Sequence, residues 1–257
     1  MNVLAIGGLD PSGSAGLAAD VKTLMAWNAH GLPVITVITA QNTVEVTGFY
    51  PVDDAILRAQ IEAVVSDIDV HAVKIGLLGS VDVLQTIVSV CKKYRFSNIV
   101  VDPVLRSTTE FDFADSELID AYKKNLFPLA DVITPNLHEA SLLTGINVNG
   151  LEGMKEASLV LHRTGVKNVV ITGGHLQDQA IDVLYDGKSH HLFETSRVEN
   201  KSTRGLGCTF ASILAVHLAG DKQLEVGIRA AKEYIGKCLE TPLSIGSGKG
   251  PLRHFAP

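Results

Sequence analysis

Short runs of β-branched and other apolar residues alternate along the chain with longer segments in which apolar residues recur every three or four positions. The short runs predict strands and the longer segments predict amphipathic helices, so their alternation is typical of βαβ units around a parallel sheet. The six strands predicted for this sheet span residues 3–6, 34–39, 70–75, 99–101, 132–134 and 169–172.

The last third of the chain changes pattern. Residues 180–185 and 190–193 flank Asp186-Gly187, a pair suited to the positive φ angles of a hairpin turn, so an antiparallel hairpin is predicted there. Two helices are predicted after it, over about residues 206–218 and 224–239. No linker rich in Pro, Ser or Gly interrupts this order, and residues 1–257 are therefore predicted to form one α/β domain.

Composition narrows the class of protein. The 257 residues are 46% hydrophobic, which is too many for a disordered chain, and 22 Lys and Arg stand against 28 Asp and Glu. Because the formal net charge is -6, we do not expect the protein surface to bind nucleic acid. Any anion site must therefore be built locally.

Neither export nor membrane insertion is predicted. The N-terminus lacks a basic leader, and apolar stretches such as residues 32–40 are far shorter than the roughly 20 residues of a spanning helix. Cys91, Cys208 and Cys238 form no CxxC pair, which fits a reducing compartment. A cytoplasmic protein with no membrane partner is expected.

Polar and flexible residues collect where the predicted parallel strands end. Open parallel sheets bind ligands in the crevice beyond the carboxyl ends of their strands, and six such ends in succession predict a site there. The strand ends are Gly7-Gly8-Leu9-Asp10, Ala40-Gln41-Asn42, Gly76, Asp102-Pro103, Pro135-Asn136 and Gly173-Gly174-His175.

The strongest local motif is Thr203-Arg204-Gly205-Leu206-Gly207-Cys208-Thr209, which precedes an apolar helix face. Two glycines let backbone amides turn toward a ligand, and a helix start adds unpaired N–H groups with the positive end of a dipole. The motif thus predicts an anion cradle, in which the pKa of the Cys208 thiol should be lowered. The alternative, a glycine-rich turn with a small buried thiol, is equally compatible with the pattern.

Three carboxylate and amide side chains suggest polar ligand contacts. Asp20 falls beside an apolar helix stripe, where it could bind an amine or hydroxyl of a ligand or simply reach solvent. Asn136 and Glu139 stand three apart at a predicted helix start and suit the water shell of Mg²⁺. The same spacing is that of a helix capping pair, and geometry alone favours capping.

These residues occur in an order that resembles the hydroxymethylpyrimidine and phosphomethylpyrimidine kinases of thiamine biosynthesis, within the ribokinase-like superfamily that also contains pyridoxal kinases. The resemblance runs nearly end to end. The motifs that carry it are Asp10-Pro11-Ser12-Gly13, Ala19-Asp20-Val21-Lys22-Thr23, Thr39-Ala40-Gln41-Asn42-Thr43, Lys74-Ile75-Gly76, Val101-Asp102-Pro103-Val104, Ile133-Thr134-Pro135-Asn136-Leu137, Gly173-Gly174-His175, Gly207-Cys208-Thr209 and the C-terminal Gly250-Pro251-Leu252-Arg253-His254-Phe255.

The resemblance implies a ribokinase-like three-layer sandwich, with a mostly parallel central sheet and helices on both faces. It also implies a kinase that moves the γ-phosphoryl group of ATP, with Mg²⁺, onto 4-amino-5-hydroxymethyl-2-methylpyrimidine or its monophosphate. A homodimer is expected from the same resemblance.

Roles for individual residues follow from the resemblance by position. The substrate pocket would be lined by Asp20, Gln41, Leu77 and Val104. Nucleotide and phosphate would be bound by Asn136, Glu139, Gly174 and Arg204, and the metal by Asp102 and Glu139. Catalysis would rest on Gly205, Gly207 and Cys208 as the anion hole.

Three segments depart from the family pattern. Thr172 stands where a lysine is usual, and Arg204-Gly205-Leu206 stands where His-Gly-Thr is usual. Arg204 is therefore hypothesised to replace the missing lysine as a phosphate donor. Residues 105–113 lack the Ser-Gly pattern of the family's flap and are more acidic.

Two other functions remain open from the sequence. A pyridoxal kinase could use the same scaffold, because both substrates are flat heteroaromatics that bear a hydroxymethyl group. A kinase-like protein that binds its ligand without turnover stays open as an alternative because of the departures at Thr172 and Leu206.

Overall fold

The computed structural model describes residues 1–107, 109–174, 180–196, 198 and 203–255. Nine strands in these ranges form one sheet in the order β3-β2-β1-β4-β5-β6-β7-β8-β9. All neighbours from β2 through β1 and β4 to β7 are parallel, whereas β3, β8 and β9 are antiparallel to theirs. The strands are β1 Asn2–Leu9, β2 His30–Gln41, β3 Val46–Pro51, β4 Ala72–Ile75, β5 Ile99–Val101, β6 Val132–Ile133, β7 Asn168–Ile171, β8 Ala180–Tyr185 and β9 His190–Thr195.

Helices cover both faces of the sheet. Successive side chains of a strand point to opposite faces, so Leu4 and Ile6 of β1 join one hydrophobic cluster and Val3 and Ala5 the other. The α-helices of the described ranges are α1 Gly16–Ala26, α2 Asp54–Val65, α3 Val81–Tyr94, α4 Ser116–Ala121, α5 Leu137–Thr144, α6 Leu151–His162, α7 Leu206–Ala219 and α8 Leu224–Glu240. Helices α2 to α6 pack on the first cluster, and α1, α7 and α8 on the second. The predicted three-layer sandwich with a mostly parallel sheet is confirmed.

The predicted strands agree with the observed ones to within a few residues, and the hairpin forms as predicted. The strand at residues 46–51 was not predicted. It contains Gly48 and ends at Pro51, and its residues are mostly half-buried or exposed because it lies at the edge of the sheet. An edge strand of this kind lacks both a continuous apolar run and an alternation to detect.

The parallel register places the strand ends at a common edge, as predicted. Gly76 N donates to Ile6 O, and Asp102 N donates to Ile75 O. Further along the edge, Thr134 N donates to Val101 O, and Asn136 pairs with Thr172. His175, predicted to end the last strand of this set, lies outside the described residues. Among the helices described, none combines the length and apolar character needed to cross a bilayer.

The C-terminal segment packs against the start of α7. Pro251 pairs with Arg204, and the buried His254 ring shares a hydrogen bond with Thr209 Oγ1 (Nε2 to Oγ1, 3.0 Å). Tyr234 Oη donates to His254 O at 2.6 Å. Burial, together with the positive charge of Lys22, lowers the pKa of His254 from 6.5 to about 4.

This histidine should make the fold sensitive to mild acid. Between pH 6.5 and about 4 the unfolded chain binds a proton that the folded chain does not, so stability falls as pH falls, by up to about 1.4 kcal/mol per pH unit. In His254→Gln, the drop in urea midpoint between pH 7 and pH 5 should be smaller than in the wild type. His30→Gln, which changes an exposed histidine, should keep the full drop. An unchanged pH dependence in His254→Gln would contradict the assignment.

Candidate active site

The backbone at the start of α7 forms the predicted cradle. Gly205 precedes the helix in the left-handed conformation, with φ of 80°, and a Cβ atom there would lie 2.5 Å from Ser14 O. Only glycine fits this position, because both the φ angle and the contact exclude a side chain. The first N–H groups of the helix have no acceptor within it, so an anion can bind to them.

A buried ionic cluster lies directly beneath the cradle. Lys74 Nζ is 2.9 Å from Asp20 Oδ1 and 3.7 Å from Asp102 Oδ2, and the lysine side chain is 1% exposed. Ser212 Oγ of α7 donates to Asp20 Oδ1 at 2.9 Å. Asp102 reaches the cradle, since a Cβ atom on Gly207 would lie 3.5 Å from its Oδ1. The cluster therefore joins α1, β4, the end of β5 and α7.

Opposite charges keep Lys74 protonated in this position. Burial disfavours its charge, but the attraction of Asp20, with smaller contributions from Cys208 and Asp102, outweighs burial and raises the pKa of Lys74. Burial raises the pKa of both carboxyl groups, and Lys74 partly opposes this shift. Gly76 leaves room for the ammonium group, because a Cβ atom there would lie 2.9 Å from Nζ.

Asp20 is more buried than its spacing suggested, since the sequence placed it at the edge of an apolar helix stripe. Its side chain is fully buried, and both carboxylate oxygens bind Lys74. Its predicted role in the substrate pocket stays a prediction, and the contacts favour an action through Lys74. Lys74 itself was missed as a site residue. The available signal was a lysine inside an apolar run predicted as a buried strand, where a charge requires a partner.

The Cys208 thiol does not have the lowered pKa predicted for a helix start. Burial raises its pKa to about 12, and the negative charges of Asp20 and Asp102 act in the same direction. Lys74 favours the thiolate but is outweighed. The raised pKa favours the buried-thiol alternative, and Cys208 is a neutral thiol beside Asp102 at neutral pH.

Asn136 and Glu139 form the capping pair that the spacing allowed. Asn136 Oδ1 accepts from Glu139 N at 3.0 Å, and Glu139 Oε2 accepts from Asn136 N at 2.9 Å. Burial, and then the nearby Asp102 charge, raise the pKa of Glu139 well above its usual value. Capping does not exclude a ligand role, since the second carboxylate oxygen lies outside the reciprocal pair.

Asp102 and Glu139 also suit a divalent cation. They are buried, the charge of Asp102 raises the pKa of Glu139, and Asp102 Oδ2 accepts no hydrogen bond from the described residues. The described ranges contain no group of three or more His, Cys, Asp or Glu side chains able to hold a metal. Mg²⁺ commonly uses only one or two carboxylates together with water and substrate phosphates, so the pair fits this ion.

A second buried ion pair supports the turn that contains Gly174. Gly173 N donates to Asp182 Oδ1 at 2.9 Å, and Lys232 Nζ of α8 donates to Asp182 Oδ2 at 2.8 Å. Lys232 Nζ also donates to Ala180 O at 3.0 Å. The turn is thereby attached to β8 and α8, and the phosphate-binding role of Gly174 stays a prediction.

Leu77 and Val104 of the predicted pocket lie in one apolar cluster. The structure adds Phe49 and Phe113 to it, whose rings stack with centroids 5.4 Å apart. The two aromatic residues were missed because Phe49 belongs to the unpredicted edge strand and Phe113 follows an acidic segment without a periodic pattern. Val46 also packs against this cluster and pairs with the half-buried Gln41 at the end of β2, so the cluster provides an apolar surface beside Gln41.

Arg204 does not point freely toward the cradle. Its side chain is 3% exposed, and its N–H groups donate to Asn42 O at 2.6 Å, Gln41 Oε1 at 3.1 Å and Asp10 Oδ2 at 3.4 Å. The hypothesis that it replaces the lysine missing at Thr172 stays a prediction, and these contacts favour another role.

Removal of the central lysine should destabilise the fold strongly. Lys74→Met leaves Asp20 and Asp102 buried without a counter-charge, and we expect the free energy of unfolding to fall by about 3–5 kcal/mol. Guanidinium unfolding followed by circular dichroism measures this loss. Lys93→Met removes a pair with Glu62 that is exposed to solvent, so its midpoint should hardly change. Equal effects of the two substitutions would contradict the role of Lys74.

The thiols should not ionise in the native protein at ordinary pH. Burial raises the pKa of Cys91 and Cys208 to about 12 each, and the pKa of Cys238 is also raised. Absorbance at 240 nm should show no thiolate step between pH 6 and about 9 in the native state and should show one near pH 8.5 in guanidinium. A native one-thiol step below pH 8 that disappears in Cys208→Ser would overturn this assignment.

Comparisons with known proteins show the family of the chain. Residues 10–253 match the family model described as Phosphomethylpyrimidine kinase. The chain is 41% identical over 255 residues to the thiamine biosynthesis bifunctional protein ThiED of Geobacter sulfurreducens, covering 99% of this chain and 52% of the relative. It is 35% identical over 260 residues to the hydroxymethylpyrimidine/phosphomethylpyrimidine kinase of Haemophilus influenzae, covering 99% and 96%.

The chain is also similar to a solved structure over nearly its whole length. The ADP complex of Bacillus subtilis pyridoxal kinase superimposes with a TM-score of 0.91 at 36% identity, covering 99% of this chain and 97% of that one. The chain spans about half of the bifunctional relative and nearly the whole of the other two proteins. With the family match extending over most of its length, the chain belongs to the phosphomethylpyrimidine kinase family.

Proposed function

We propose that this protein is an ATP-dependent kinase that phosphorylates 4-amino-5-hydroxymethyl-2-methylpyrimidine and its monophosphate in thiamine biosynthesis. The observation that carries the proposal is the glycine-bounded start of α7, which lies directly above Asp102 and Lys74 in a chain of this family. Phosphoryl transfer requires mainly positioning and donors aimed at the charge of the moving group, and the cradle supplies both.

The residues divide the reaction between them. The α7 amides around Gly207 would hold the phosphoryl oxygens, and the apolar cluster with Leu77 and Val104 would hold the flat ring beside Gln41. Asp102 lies next to the cradle, where its carboxylate would hold the metal ion close to the phosphoryl oxygens. Cys208, as a neutral thiol, can donate a hydrogen bond to an anion held in the cradle but is not a base.

Asp102 and Glu139 are the residues that would hold Mg²⁺, with Asn136 positioning Glu139 through the capping pair. The bound ion would neutralise charge on the triphosphate oxygens. Lys74 would keep Asp102 in place whether or not the ion is bound, because the ammonium group is held by Asp20 from the opposite side.

A coupled assay of ADP release tests the function. With ATP and Mg²⁺, we expect release with hydroxymethylpyrimidine and with its monophosphate, and a fall in turnover of about 10²- to 10⁴-fold in Asp102→Asn, because that variant lacks one of the two carboxylates of the proposed metal pair. Asp186→Asn, which changes a carboxylate in the β8–β9 turn, is the matched control and should keep full turnover. No release with either pyrimidine would contradict the proposal.

Pyridoxal is the second candidate substrate, supported by the similarity to the Bacillus subtilis pyridoxal kinase. Both molecules are flat heteroaromatics with a hydroxymethyl group, so one apolar pocket can accept either. Release with pyridoxal alone would favour this second reading. Binding of a heterocycle without release of ADP from any of them would favour a ligand-binding protein without turnover.

Three broader features belong to the same proposal. Residues 1–257 would act as a single kinase domain, and the family resemblance supports a homodimer. The three cysteines are free and buried, which supports a cytoplasmic location with reduced thiols.

A further inference from the structure

Arg204 is a buried arginine whose contacts the proposed reaction leaves without a role. It is 2% exposed and directly precedes Gly205 of the cradle. Its guanidinium group donates to the loop after β1 through Asp10 and to the end of β2 through Gln41 and the carbonyl group of Asn42. One side chain therefore joins the cradle to two loops that border the predicted substrate pocket.

The backbone of Arg204 is held as firmly as its side chain. Arg204 N donates to Gly250 O at 3.1 Å, and the residue pairs with Pro251. The groups that accept hydrogen bonds from the guanidinium group are themselves held in place by hydrogen bonds. Asp10 already accepts from three backbone amides of its own loop, and Asn42 Oδ1 accepts from Val44 N and Glu45 N. The guanidinium group is thus fixed between preformed turns.

The contact with Gln41 determines which way its amide group faces. Arginine has donors and no acceptor, so the Gln41 atom 3.1 Å from Arg204 Nη2 must be the oxygen. The NH₂ group then occupies the other branch of the amide. Within the described ranges, this NH₂ group donates to no protein acceptor, although Gln41 is only half exposed at the end of β2.

We infer that Arg204 is a positioning residue that turns the Gln41 amide so that its NH₂ group is presented to the substrate. The ligand that this arrangement recognises is a flat heterocycle with a hydrogen-bond acceptor on its edge, such as a ring nitrogen. The inference rests on the proposed function and adds to it the reason why the Gln41 NH₂ group faces the substrate. It replaces phosphate binding by Arg204 with substrate orientation through Gln41.

Calorimetric binding of hydroxymethylpyrimidine without ATP, together with separate binding of ADP, tests the inference on four proteins. Arg204→Met removes the clamp and leaves the Asp10 carboxylate with its backbone donors. Gln41→Glu keeps an oxygen for Arg204 but removes the NH₂ donor. The third protein carries both changes, and Arg58→Met is the control, since Arg58 is a partly exposed residue of α2 whose guanidinium group lies 4.0 Å from the Asp54 carboxylate.

We expect Arg204→Met and Gln41→Glu each to bind the pyrimidine roughly tenfold or more weakly, and Arg58→Met to bind it as the wild type does. The double variant should bind no more weakly than Gln41→Glu alone, because both changes remove the same contact. Affinity for ADP should stay within about twofold in all four proteins. Losses that multiply in the double variant, or an Arg204→Met variant that loses ADP affinity and keeps pyrimidine affinity, would overturn the inference.

Gln41→Glu keeps the test decisive if Arg204→Met does not fold, since unchanged pyrimidine affinity in Gln41→Glu alone contradicts an NH₂ contact. Failure of the proposed function gives a different signature. It appears as a wild-type protein that binds the pyrimidine but releases no ADP, and the comparison of affinities among the variants then still decides the role of Arg204.

Discussion

The attraction between Lys74 and its two carboxylates is the interaction on which the site depends. A lysine with 1% exposure in the centre of a parallel sheet is tolerable only because Asp20 approaches from α1 and Asp102 from the end of β5. Replacement of such clusters by apolar residues is often neutral for stability, so a stability benefit is a weak reason for the cluster. Its evident effect is positional, since it holds one carboxylate directly beside Gly207.

The grouping of these buried charges also explains how an acidic protein can contain an anion site. A net charge of -6 disfavours phosphate at long range, but the buried charges under α7 are grouped so that a lysine separates the two acids. The cradle itself relies on backbone N–H groups, which carry no net charge and need no desolvation of an ammonium group. Thr172 in place of a lysine is consistent with a site whose donors come largely from the main chain.

Much of the fold could be predicted from the sequence, because apolar periodicity and strand-end residues report directly on burial and on the parallel sheet. The hairpin around Asp186-Gly187 and the glycines of the cradle could be predicted for the same reason, since each reflects a backbone requirement. The partners of the charged side chains could not be predicted from the sequence. Asp20 meets Lys74 across 54 residues, and no local pattern indicates whether a carboxylate at the border of a stripe faces solvent or a buried lysine. The pKa of Cys208 was mispredicted because the helix start was considered without the desolvation of the thiol and the two nearby acids.

The contacts of Arg204 have a consequence for how the protein is made. Asp10 and Gln41 precede it by 194 and 163 residues, and Gly250 and Pro251 follow it by more than forty. Loop closure over such separations is slow, so contacts of this kind form after the local ones. A chain emerging from the ribosome can thus pair all nine described strands before it has any cradle, and the contacts of Arg204 are among the last in the molecule to form.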